Sequence, residues 1–166
     1  MLVNTARLSA LPPATSLEIV IQYPMQRRRP LTKTHLLPLP SALVRQRQLR
    51  HHVAWSLLLD QCAKPAQLAI LLHVVEITYL LASPEDRDAI SNARFRRAEA
   101  ALEACFGQLG EGGITLEATE REAIERVLVM HDRQLISGPS YRYLEAQECV
   151  KQLVFASRTV RGNTNR

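Results

Sequence analysis

The stretch PAQLAILLHVVEITYLLA, residues 65–82, decides the fold. Pro65 is placed in a first helical turn, where its missing N–H costs nothing. The residues after it are apolar around nearly the whole helical circumference, so in a bundle this helix must be surrounded by others. The apolar run Leu68 to Ala82 covers fifteen residues and contains His73 and Glu76. A membrane span needs about twenty apolar residues, which makes this segment a buried central helix.

Outward from that helix the punctuation stays helical. Ser41 is a candidate cap for a helix running to about Gln61. Ser83 is a candidate cap for another, with Pro84 at its first position and Glu85, Asp86 and Asp88 where the helix dipole favours anions. Its apolar positions Phe95, Ala98, Leu102, Cys105 and Leu109 make one stripe. Gly110, Glu111, Gly112 and Gly113 end it. A fourth helix is expected from about Ala118 to Leu135, with Ile124, Val127, Leu128, His131 and Leu135 on one face and Gly138 as its stop. A fifth begins at Pro139 and Ser140 and ends near Ser157, with Leu144, Val150, Leu153 and Val154 as its apolar residues. The expected fold is all-α: a compact bundle of about five helices over 41–157, an extended, Pro-rich basic N-terminal arm over 1–40, and a basic tail over 158–166.

The composition agrees with one globular core. The chain has 166 residues, 46% hydrophobic and 22% charged, and its 5% aromatic content leaves Leu, Ala, Val and Ile to fill the interior. Cys62, Cys105 and Cys149 are dispersed, with no CxxC pair. They read as small buried hydrophobes in a reduced, cytoplasmic protein. The N-terminus carries no sustained apolar run of the signal-peptide kind.

The arm contains six of the nine prolines, which excludes a long helix there. LEIVIQY, residues 17–23, is β-prone but lacks a partner strand, and Met25 is an alternative start immediately before the basic run. Charge is strongly segregated. Residues 1–52 hold eight Lys/Arg and one acid, residues 53–156 have a net charge of −5, and the last ten residues add three arginines. A basic extremity on an acidic body suits a polyanion or an acidic partner.

Two groups of residues are candidates for function. Arg27, Arg28, Arg29 and Lys33 in the arm, with Arg45, Arg47 and Arg50 on the first long helix, form a possible nucleic-acid-binding track that neutralises phosphates without reading bases. The bland alternative is a solvated tether and a covered bundle surface. His73 and Glu76 share a face of the central helix, and His131 lies on the inward stripe of the fourth. Together they are candidates for a metal or acid–base site. A hydrogen-bonded polar cluster that fixes helix register is the competing reading. No serine sits in a nucleophile elbow and no cysteine lies near a histidine in sequence, so no catalytic residue and no cofactor are assigned and the chain is not expected to be an enzyme.

A helix-turn-helix is disfavoured, because the second helix of the pair 41–61 and 65–82 offers almost nothing polar to DNA bases. The segments RRRPLTKTHLLPLP (27–40), RRAEAALEAC (96–105), LVMHDRQL (128–135) and RYLEA (142–146) resemble short proteobacterial proteins labelled Fis-like transcriptional regulators. That resemblance implies a bacterial regulatory or mobile-element protein. The C-terminal helix-turn-helix of true Fis regulators is lacking, so no functional residue is carried over. The expected function is therefore a small regulatory or accessory protein that contacts nucleic acid through its arm and first helix. The alternative is a helical protein-interaction module, homodimeric or docked on an acidic protein, without nucleic-acid binding.

Overall fold

The computed structural model describes residues 32–83, 89–110 and 113–163, of which 89–90 and 154–163 are described as backbone alone. Its elements are α1 (Lys33–Leu36), α2 (Ser41–Leu59), α3 (Pro65–Leu81), α4 (Ala89–Gln108), α5 (Ala118–Ser137) and α6 (Ser140–Asn163). The fold class is all-α, as the periodicity predicts. Among the described residues no helix is long and apolar enough to cross a membrane.

The central helix is α3. It packs against α2, α4, α5 and α6, and Leu68, Leu71, Val74, Val75, Ile77 and Tyr79 are all buried along it. A helix apolar on every side can satisfy all its faces only at the centre of such an arrangement. The stripe of α4 turns inward at Phe95, Ala98, Leu102 and Cys105, and that of α5 at Ile124, Val127, Leu128, His131 and Leu135. Tyr79 and Phe95 meet edge to face, 5.4 Å between centroids.

Several expectations are corrected. Pro40, not Ser41, occupies the cap of α2, and Ser41 is its first helical residue. On α6 the inward residues are Tyr143, Ala146, Val150 and Leu153, while Leu144 is exposed. The tyrosine takes the buried row because its hydroxyl finds a donor there, Arg47. Cys62 is exposed in the α2–α3 connection, whereas Cys105 is buried. Glu99 on α4 is fully buried. Ser83 is a described residue, but the acidic first turn expected after it, Pro84 to Asp88, lies outside the described residues, as do LEIVIQY and Met25.

The boundary of the arm also moves. Residues 32–40 pack onto the bundle through the start of α6: Ser140 N–H donates to Leu37 O at 2.8 Å, Ser140 Oγ to His35 O at 3.1 Å, and Pro38 and Pro139 form an antiparallel bridge. Leu39 is buried with Val44, Ile77, Leu135, Tyr143, Ala146 and Val150 in a second, smaller core. Part of LLPLP therefore has a place within its own chain, while Leu36 and Leu37 stay exposed.

Candidate functional site: a cationic cleft over the central helix

The middle of α2, the start of α6 and the first turns of α3 enclose a cleft of about 520 Å³. Arg47, Arg50 and His51 line it from α2, His73 and Glu76 from α3, His131 from α5, and Tyr143 and Gln147 from α6. Ala66, Ala69 and Ile70 of α3 and Phe106 of α4 supply apolar lining. Small residues on the central helix, Ala66 and Ala69, leave room that larger side chains would fill.

Arg47 holds one wall. Its Nη1 donates to Tyr143 Oη at 2.8 Å, and its Cζ lies 4.5 Å from the Tyr143 ring centroid. Its Nε is buried without an acceptor. Burial pushes the Tyr143 phenol up, against the opposing pull of Arg47. A half-buried guanidinium bonded to a phenol instead of a carboxylate keeps most of its charge available to whatever enters.

The histidines of the cleft are held neutral. Burial pushes His73 below its ordinary value, and Arg50, Arg47 and Lys151 add to the effect. His131 falls to about 3, chiefly through burial, with His51, Arg47 and His73 contributing and Asp132 opposing. Its tautomer is set by its partner. Thr78 Oγ1 donates to Val74 O at 2.6 Å, one turn back, so toward His131 Nδ1 at 3.0 Å it is an acceptor. His131 therefore carries its proton on Nδ1 and leaves Nε2 as a bare acceptor. His51 is also lowered by burial, against a raising effect from Asp132.

The residues expected to hold a metal or do acid–base work, His73, Glu76 and His131, all border this one cleft. Their ligand atoms do not form a group of three. Among the described residues that property belongs to His51, His52 and Asp132. Of the expected phosphate-binding track, Lys33, Arg45 and Arg50 are exposed, Arg47 is turned inward onto Tyr143, and Arg27, Arg28 and Arg29 lie outside the described residues. Sequence reasoning missed Tyr143 and the convergence of His51 and His52 on Asp132. The available signal was a His–His pair on one helix and a His–Asp pair on another, each with one member on the buried stripe.

The chain matches no family model, no curated protein and no solved structure in the comparisons made with each.

Proposed function

We propose that this protein is a binding module for a small anionic ligand, one that presents a phosphate or carboxylate to Arg47 and Arg50 and lays an apolar portion along α3. The observation that carries the reading is Arg47: a half-buried cation on the wall of a cleft, with a buried N–H that has no acceptor. Leaving such a donor unsatisfied costs free energy, and a turn of the guanidinium toward an entering anion would recover it. The bare Nε2 of His131 adds an acceptor for a donor group on the same ligand. Binding is favoured over proton-transfer catalysis, because an imidazole titrating near 3 is a weak base at neutral pH.

The test is thermal stabilisation of the full chain by inorganic phosphate, nucleoside monophosphates and short carboxylic acids. At least one should raise the melting temperature saturably, and Arg47→Met should abolish the effect while keeping the side-chain stem. Indifference to every anion at millimolar concentration removes the proposal.

A second reading, contact with nucleic acid, keeps support from exposed cations, of which Arg50 is common to both readings. Lys33, Arg45 and Arg50 are exposed, and none is in an ion pair among the described residues. Cations so placed neutralise phosphates with a steep salt dependence. Titration with duplex and single-stranded DNA and RNA at low and moderate salt examines it. Binding weakened by Arg45→Ala but not by Arg47→Met supports this second reading, and no binding at low salt rejects it.

A further inference from the structure

The seam between α2 and α5 carries a second cluster of donor atoms, which shares His51 with the cleft. His51 and His52 are consecutive on α2, yet both turn Nε2 onto one carboxylate. His51 Nε2 lies 3.0 Å from Asp132 Oδ1, and His52 Nε2 lies 2.8 Å from Asp132 Oδ2. Neighbouring residues on an α-helix diverge by about 100°, so their side chains converge only on a group that sits between their two directions. Asp132, supplied by the facing helix, is such a group.

The separations suit an ion. In tetrahedral coordination, two ligand atoms each about 2.0–2.1 Å from zinc are about 3.3 Å from each other. The His–Asp edges of 3.0 and 2.8 Å are within about half an ångström of that value, and the ligand atoms of all three residues lie within 4.8 Å of one another.

Exposure grades outward across the cluster. The side chain of His51 is 2% exposed, that of Asp132 24% and that of His52 48%. The inner ligand is fixed by packing, while the outer one opens to solvent, which supplies an entry path and room for water at the remaining coordination positions. Two imidazoles and one carboxylate are the donor set of zinc and its first-row neighbours, not of calcium or magnesium.

We propose that His51, His52 and Asp132 bind a divalent first-row transition metal, zinc foremost, with at least one coordination position left to solvent. The site adjoins the anion cleft, which His51 also lines, but Arg47 is no ligand in it. Zn²⁺ and Co²⁺ titrated into the purified full chain test it, read by calorimetry and by the visible absorption of bound Co²⁺. One ion per chain is expected, with a Co²⁺ spectrum free of the intense thiolate charge-transfer band that ligation by Cys62 would produce. His52→Ala removes an exposed ring and leaves the core untouched, so the variant should fold as the parent does. It should bind at least about ten-fold more weakly, as should Asp132→Ala. Absence of near-stoichiometric binding at micromolar metal, or equal binding by parent, His52→Ala and Asp132→Ala, would overturn the proposal.

Discussion

Thr78 shows how one hydroxyl organises the interior. Its proton goes to Val74 O, and its lone pair receives His131 Nδ1–H, so one side chain fixes the tautomer of an imidazole on another helix. Thr78→Val keeps shape and removes both bonds. The variant should lose about 1–3 kcal/mol in chemical denaturation, because a buried imidazole N–H would be left without an acceptor; a loss below a few tenths would refute the assignment. His131 was legible in the sequence as an inward residue, since it continues the row of Ile124, Val127 and Leu128 at helical spacing. Its partner was not legible, because Thr78 lies fifty-three residues away on a helix apolar all round. Arg47 shows the opposite failure. Its spacing to Arg50 and His51 suggests one outward surface, but Tyr143 draws it inward.

At the scale of elements, the end of α2 departs most from what local preference favours. Gln61 N–H bonds Leu58 O and Cys62 N–H bonds Leu57 O, the paired closure of a Schellman cap, and Gln61 occupies its left-handed position at φ 58°. Glycine is the usual residue there, because a Cβ is strained at positive φ. Gln61→Gly should therefore stabilise the protein by about 0.5–1 kcal/mol, the relief of strain being partly offset by a more flexible unfolded chain. An unchanged or lower denaturation midpoint would contradict this. The start of α5 is better matched to its sequence: Glu117 N–H donates to Glu120 Oε2 at 2.9 Å, a reciprocal cap that begins the helix at Ala118.

At the scale of the whole molecule, two packing regions are joined through α3. The smaller one depends on a residue of the N-terminal segment, Leu39. Leu39→Ala should cost about 2 kcal/mol, as for other buried leucines, and a variant as stable as the parent would show that residues 32–40 do not belong to the fold. The neutral histidines set the response to acid. A histidine lowered by folding binds its proton in the unfolded chain first, so its contribution is present above about 6.5 and is lost as pH falls toward the folded value. For His131 that window runs from about 6.5 down to about 3, and His51 and His73, also lowered, act in the same direction. Stability should fall across it by up to ~1.4 kcal/mol per pH unit for each such proton. Denaturant midpoints measured from pH 7.5 to 4.5 check this, with His131→Asn expected to flatten the slope and an equal slope in the variant counting against it.

The sequence by itself determined the five long helices and their order, though not the short helix Lys33–Leu36, because burial periodicity, proline and glycine act over a few residues and are written locally. It also determined that Pro65–Leu81 is central, since a helix with no polar face has no other stable place. Only the tertiary structure decided which polar groups meet. Arg47 with Tyr143, Thr78 with His131, and His51 and His52 with Asp132 are separated by 53 to 96 residues. Such pairings depend on the rotation of each helix about its axis, which is set by how the apolar stripes interlock across the whole core and not by any short run of the chain.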